Sequence, residues 1–475
     1  MAVDSVRQGT VSGAIQDLAA SLMARERVPL TNLQQRRADV SKQSSILTTL
    51  KTRMSALRSQ LNSLDAIGTL SPFSAKAASS SDTSVLTATA AANAANAAVS
   101  VTVQQLARRA THTSDLLTDT ATTISSGGTG TFNFTVTIAG TNYNASVTIN
   151  AGDTDKAVLD NVAAAINTAV GTKGSASRLQ VATGQSRLSI SSANTGTANK
   201  ITFTDTNSLL ARLGVFHAVP TAATATTGGY VFDDLGNHEL DAQLLVDGQQ
   251  FYRDSNTITD ILTGVTISLK APSASTVTLT VKPDADAALA KVKSFVSAYN
   301  DVIDYLVQNA GVSPDGKTRG PLAGDSTYSS LRIQLRQKIA SIVQSQPAGS
   351  PNSLAVLGIT AGSDGKLTVD EAKFKDTYTA NPTGVTSLFN ATDGVATLLD
   401  PFVNNYSGPA GLISASQTAI TGRLRDFDSQ ITRLQASLDK RQRNLEQQLA
   451  KQQALLDGLA RQQSQIASFM ARLGG

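Results

Sequence analysis

Two long heptad patterns lie at the two ends of the chain, and shorter alternating patterns fill the middle. Steps of three and four residues from Leu424 reach Phe427, Ile431, Leu434, Leu438, Arg441, Leu445, Gln448, Gln452, Leu455, Leu459, Gln462, Ile466, Phe469 and Leu473. Eleven of these fifteen positions are apolar, with no Gly or Pro before Gly458. The spacing predicts a helix of about 75 Å whose apolar stripe needs a partner. Its four polar seam positions predict a wet or partner-dependent seam. From Leu33 the same stepping gives Arg36, Val40, Gln43, Leu47, Leu50, Met54, Leu57, Leu61 and Leu64, eight of ten apolar. Pro29 and a Thr31–Gln34 capping box predict that this helix starts there. Ile15, Leu18, Leu22 and Met23 predict a separate short helix over 14–27, closed by Pro29. The two ends are therefore expected to pack together, with everything else inserted between them.

In the middle, residues 75–98 are rich in Ala, Ser, Thr and Asn and predict an exit linker with one strand-like run, Val85–Ala90. Val99–Val103 alternates as a half-buried strand. Phe132, Phe134, Val136 and Ile138, a turn at Ala139-Gly140, and the return from Tyr143 to Ile149 predict a hairpin. Asp153 or Thr154 is expected to cap a helix bearing Val158, Val162, Ile166 and Val170. Strands are predicted at Leu179–Val181, Leu188–Ile190, Ile201–Phe203, Ala242–Val246, Gln250–Arg253, Val265–Leu269 and Val277–Val281, the last four pairing with strands of 83–106. Asp284 is expected to cap a helix with Leu289, Val292, Val296, Tyr299, Ile303 and Leu306. Another helix should run from about Thr327 through Leu331, Leu335, Ile339 and Val343. Short helices and turns follow to Tyr406, and Gly408–Gly411 breaks the chain before the last helix.

The nesting predicts a multidomain α+β fold, in which paired N- and C-terminal coiled-coil helices form a leg and two nested β-rich head domains are inserted. The expected divisions are a terminal coiled-coil domain of 1–40 with 435–475, a helical leg of 41–77 with 283–434, an inner β head of 78–109 with 236–282, and an outer α+β head of 110–235. A length of 475 residues suits about three domains.

Charge is uneven. Residues 1–75 and 422–475 each carry 9 Lys+Arg against 5 Asp+Glu, while 76–421 carries 22 against 26. The basic ends have interspersed acids, no run of five like charges and no aromatic interleaving, so solvated helix faces are expected rather than nucleic-acid binding. The chain has no cysteine, which removes disulfides, thiol catalysis and Cys-ligated zinc. Met1–Gly13 lacks the pattern of a Sec-type signal peptide, and no window approaches twenty apolar residues, so no membrane association is expected.

Candidate chemistry is sparse. Gly311-Val-Ser-Pro-Asp-Gly-Lys-Thr318 matches the P-loop spacing, but a predicted helix precedes it and Arg319-Gly-Pro321 follows, so a helix-to-helix turn is expected. Gly362–Glu371 resembles half of a calcium loop, yet Thr360 and Gly362 occupy the first and third ligand positions; a β-turn leading into a helix capped near Asp370 is expected instead. His112, His217 and His238 stand singly, as surface or turn residues. There is no Gly-x-Ser-x-Gly elbow. No catalytic, cofactor-binding or metal residues are assigned, and a structural or binding protein, not an enzyme, is expected.

Leu22-Met-Ala-Arg-Glu-Arg-Val-Pro-Leu30 resembles the N-terminal block of the bacterial flagellar filament-cap family, the flagellar hook-associated protein 2 family. Further blocks are similar to it in the same order: Val101–Ala107, Leu245–Gly248, Ser255–Ile258, Gly264–Ile267, Phe295–Asn300, Gly320–Asp325, Leu357–Thr360 and Asp364–Leu367. The resemblance covers nearly the whole chain and is weakest over about 110–235. It implies a ring of identical subunits, a pentamer, at the filament tip, with β domains as a plate and helical parts as legs. It also implies that flagellin folds and inserts beneath the plate without leaking away. The implied partners are flagellin, the hook–filament junction protein and a cytoplasmic export chaperone, and the implied route out is the flagellar type III apparatus. Rival expectations are a hook–filament junction protein, or an exported adhesin using Phe132, Phe134, Tyr143, Phe216 and Tyr230 to stack on sugars.

Overall fold

The computed structural model of the protein describes residues 2–312 and 317–473. The chain divides into two compact units, Met1–Pro72 with Ala285–Gly475, and Phe73–Asp284. It opens with a single helix, α1 (Ala2–Leu64), that carries Pro29 in its interior. This corrects the expectation of a short helix closed by Pro29 and a fresh start at Thr31. A proline inside a helix lacks one N–H and costs about 3 kcal/mol. Here the last helix of the chain, Leu412–Leu473, spans the position and offsets that cost. Arg27 Nη2 donates to Gln442 Oε1 at 2.8 Å on one side of Pro29, and Arg37 pairs with Asp428 on the other. Pro29 itself is exposed. Thr31 Oγ1, rather than capping a helix start, donates back to Arg27 O at 3.4 Å, as a mid-helix threonine does. Met23 is buried and Leu18 and Leu22 are half exposed; the side chain of Ile15 lies outside the described residues.

The second unit follows as β1 (Lys76–Ser80), β2 (Leu86–Ala90), β3 (Ala97–Gln105), β4 (Arg109–Thr113), β5 (Leu117–Thr118), α2 (Thr123–Ser126), β6 (Gly130–Ile138), β7 (Thr141–Ile149) and α3 (Asp155–Val170). It continues with β8 (Gly174–Ala182), β9 (Gln185–Thr195), β10 (Ile201–Asp205), α4 (Leu209–Arg212), β11 (Gly229–Phe232), β12 (Ala242–Val246), β13 (Gln249–Arg253), β14 (Thr257–Ile258), β15 (Val265–Leu269) and β16 (Val277–Pro283). An antiparallel sheet of order β1-β16-β3-β12-β13 and a smaller one of order β14-β15-β2 enclose one core. Val101 sits opposite both Val246 and Val277, so the alternation of β3 aligns the inward faces of its neighbours. β1 lies within the stretch expected to be a linker. Its sequence, Lys-Ala-Ala-Ser-Ser, has no apolar alternation, and the ladder of β16, Lys76 opposite Pro283 through Ser80 opposite Leu279, recruits it as an edge strand.

A second core belongs to residues 110–240. The β6–β7 hairpin turns on Ala139 (φ 52°) and Gly140 (φ 76°), the positive-φ pair that a tight two-residue turn needs. β10 joins the β6 edge, and α3 packs on this sheet. Thr154 Oγ1 accepts from Ala157 N at 3.3 Å and caps α3, which buries Val158, Val162, Ile166 and Val170. The sheet β11-β4-β9-β5, with β8 on β9, completes this part. Phe132 and Phe134 are interior, and Tyr143, Phe216 and Tyr230 are half-buried, which leaves little open aromatic surface for the sugar stacking of the adhesin reading. His112, expected at a surface or turn, is instead a buried residue of β4, and His217 is half-buried. Only His238 fits that expectation, in a turn at φ 60° with Nδ1 2.7 Å from Asp241 Oδ2.

The helical unit resumes with α5 (Ala285–Ala310), α6 (Ser326–Ile339), β17 (Ile359–Ala361), β18 (Leu367–Val369), α7 (Glu371–Ala380), α8 (Pro382–Asn390), α9 (Val395–Ser407) and α10 (Leu412–Leu473). α5 buries Leu289, Val292, Val296, Tyr299, Ile303 and Leu306, a stripe at helical spacing. α6 starts where Asp325 Oδ1 accepts from Thr327 N at 2.8 Å, and it ends at Ile339. Val343, expected to continue it, lies beyond; its N–H donates to Asn352 O. Asp364 Oδ1 accepts from Lys366 N at 3.0 Å within the β17–β18 turn, and Asp370 caps α7 through Lys373 N at 3.0 Å. The calcium-like stretch is thus the turn and capped helix that were expected. In the P-loop-like stretch α5 precedes the motif and Val312 bridges Arg319; Ser313–Gly316 lie outside the described residues. Among the described residues no helix is long and apolar enough to cross a membrane.

Candidate functional site: the paired terminal helices

Antiparallel pairing of α1 and α10 can be followed through polar contacts along both flanks. Lys51 Nζ donates to Ser414 Oγ at 2.9 Å, and Gln417 Nε2 to Thr48 Oγ1 at 2.9 Å. Arg37 makes two hydrogen bonds to Asp428, and Arg441 Nε lies 2.7 Å from Glu26 Oε2. As numbers fall along α1 they rise along α10, so the pairs fix both direction and register. The Arg37 hydrogen bond holds the Asp428 carboxyl below its usual range, and the same contact raises the Arg37 guanidinium. Both groups are solvent-exposed, so the pair acts as a register mark more than a source of stability.

Burial along the two seams is graded. Val40, Leu47, Leu50, Met54, Leu57 and Leu61 are buried, and Leu33 is half-buried. Here α1 has α5 and α9 against it as well as α10. Arg58 Nε reaches Asp400 Oδ1 on α9 at 2.8 Å, and Thr397 donates to Asp65 just past the end of α1. On α10, Leu424, Phe427, Ile431, Leu434 and Leu445 are half-buried and Leu438 is buried. Beyond them the stripe is open: Leu455 is 67% exposed, Leu459 51%, Ile466 63% and Phe469 62%. Leu473 has a side chain outside the described residues. The polar seam residues Arg36, Arg441, Gln448, Gln452 and Gln462 are all exposed.

Ile413 and Ile420, both buried, extend the seam of α10 beyond the Leu424 start that the sequence predicts. Stepping backward from Leu424 by four, three and four residues reaches Ile420, Gln417 and Ile413, so the heptad carries the signal that would have found them. The arrangement offers apolar surface and long-helix geometry rather than reactive groups. Among the described residues no three His, Cys, Asp or Glu side chains converge as a metal set. A run of exposed leucine, isoleucine and phenylalanine on one helix is the mark of a surface that another chain covers.

Two family models match the chain: flagellar hook-associated protein 2 N-terminus over residues 13–110, and flagellar hook-associated protein 2 C-terminus over 240–461. Together they take in well over half of it. The chain belongs to the flagellar hook-associated protein 2 family. The stretch between the two matches holds the second β-rich core, where the sequence resemblance is weakest.

Relatives bear the same name. The chain is 30% identical over 258 residues to a B-type flagellar hook-associated protein 2 of Pseudomonas aeruginosa, a match covering 52% of this chain and 53% of that protein. It is 26% identical over 338 residues to a lateral flagellar hook-associated protein 2 of Vibrio parahaemolyticus, covering 70% and 72%. Matches to the first of these relatives span about half of their length or less. Among solved structures, the flagellar cap protein FliD D1-D2-D3 domains of Escherichia coli align with a TM-score of 0.52 and 27% identity, over 79% of this chain and 99% of that one. The mixed helix-and-sheet organisation with β-rich domains agrees with that neighbour. The hook-associated protein 2 family is one of structural flagellar cap proteins.

Proposed function

We propose that the protein caps the distal tip of a bacterial flagellar filament, outside the cell, and promotes the folding and insertion of exported flagellin while preventing its leakage. The observation that carries this reading is the open apolar stripe at the end of α10 in a member of a cap family. A stripe of that kind is best explained by a second chain that covers it on assembly. The protein acts as a ring of identical copies, taken here as a pentamer, and no chemical step is required of it, so it is not an enzyme. Residues 1–40 with 435–475 form the part that orders against neighbouring subunits, the junction protein and flagellin; 41–77 with 283–434 form the leg; 78–109 with 236–282 and 110–235 form the two head domains. The seam residues from Leu33 to Leu61 and from Leu424 to Phe469 are its interaction and pairing elements. A cytoplasmic chaperone covers the apolar end before type III export, which accords with a chain free of cysteine. Deleting the gene should shed unpolymerised flagellin into the medium and abolish swimming, with both restored by the full chain. Normal filaments with no shed flagellin would refute the capping role.

A further inference from the structure

A second site lies in the outer part of the β-rich unit, remote in sequence from the terminal helices. A cavity of about 150 Å³ there is lined by His112, Phe203, Phe216, His217, Tyr230 and Asp233, among others. Asp233 is 15% exposed at its side chain. Its Oδ1 accepts from Asp234 N at 2.8 Å, and its Oδ2 lies 3.5 Å from His112 Nε2. Among the described residues no lysine or arginine comes within ion-pair distance of it, although Lys200 acts on it from further off, opposed by Asp234 and Glu239. His112 does not serve as the missing cation. It is only 7% exposed, burial pulls its pKa down to about 4, and Nε2 has no hydrogen-bond partner. Nε2 of His217 is likewise buried and unpartnered. The neutral imidazole of His112 thus stands beside a largely buried carboxylate that burial pushes toward its protonated form.

A buried carboxylate without a counter-charge, in a cleft, is a group arranged for a ligand rather than for stability. We propose that this cleft binds an organic cation, a guanidinium or an alkylammonium, on the Asp233 carboxylate, with the rings of Phe203, Phe216 and Tyr230 as its wall. Aromatic rings favour such cations, which need few hydrogen bonds. A metal ion demands a fuller ligand set than converges here among the described residues. Size suits such a group as well: a cavity of about 150 Å³ takes a benzene-sized group, which admits methylguanidinium or the end of an arginine side chain. The site is independent of the capping role.

Calorimetric titration of the full chain tests this with three probes: methylguanidinium, urea as its neutral counterpart of similar size, and an arginine residue blocked at both ends. The expected result is saturable binding of methylguanidinium, at least about tenfold weaker for urea and for the Asp233→Asn variant. Asp260→Asn, whose carboxylate pairs with Arg253 elsewhere in the unit, should bind as the parent does. Binding of blocked arginine alone would assign the cleft to a cation borne on a polypeptide; binding of both cations would assign it to either source. If Asp233→Asn does not fold, the comparison of methylguanidinium with urea on the parent chain decides. Absence of binding by both cations at millimolar concentration, equal binding of urea, or undiminished binding by a folded Asp233→Asn variant would overturn the proposal.

Discussion

Leu50→Ala and Leu459→Ala remove the same atoms from the same kind of heptad position, yet one side chain is fully buried and the other is half exposed. At Leu50 the cavity is enclosed by α1 and its neighbours, and a buried Leu→Ala change costs about 3 kcal/mol or more. At Leu459 half of the side chain already meets water, so the isolated chain should lose less than about 0.5 kcal/mol. Urea unfolding followed by the helical circular dichroism signal reads both. With a slope of about 3 kcal/mol per molar, Leu50→Ala should lower the midpoint by about 1 M and Leu459→Ala by less than about 0.2 M. In cells the order reverses in kind. Leu459→Ala folds, but it removes apolar surface that docking would bury, about 1 kcal/mol per subunit, and should raise shed flagellin. Equal midpoint shifts for the two variants would refute the graded-burial reasoning, and so would a Leu50→Ala shift below about 0.3 M.

Other outcomes follow from particular residues. Pro29→Ala restores one helical hydrogen bond at an exposed position and should stabilise the middle of α1 by up to about 3 kcal/mol, read as slower amide exchange over residues 25–35. His112, with a folded pKa of about 4 against 6.5 unfolded, resists protonation in the folded state. The unfolded chain therefore binds more protons between those values, and stability falls as pH drops. Between pH 7 and 5 the β-rich unit should lose about 2 kcal/mol from this group, a slope that His112→Phe should flatten. Asp233, raised by burial, works in the opposite direction at the lower end of that range, so the comparison is best read above pH 5.

The long helices were legible because their apolar positions recur over many turns, as in the stripe of α5 and the heptads of α1 and α10. The hairpin β6–β7 was legible from strict alternation and a two-residue turn. β1, β4, β5, β11, β14, β17 and β18 were not, because stretches of two to five residues are too short to show alternation and become strands only when a neighbour's ladder is present to pair with them. Pro29 misled for a related reason: its local cost is real, and a partner helix distant in sequence overrides it. Leucines at the buried and open ends of the two heptads look alike in sequence. What separates Leu57 from Leu459 is the presence of α5 and α9 beside one and not the other, a matter of packing that periodicity does not encode. The cleft at Asp233 was invisible for the same reason, since His112, Phe203, Phe216 and Asp233 come from four separate segments.

The most direct measurement is amide hydrogen exchange over residues 455–470, taken once on the free chain and once on the chain assembled at filament tips. A stripe left open in the subunit and covered in the assembly should exchange rapidly when free and become strongly protected on the filament. Strong protection already in the free chain, or no gain on assembly, would contradict the account.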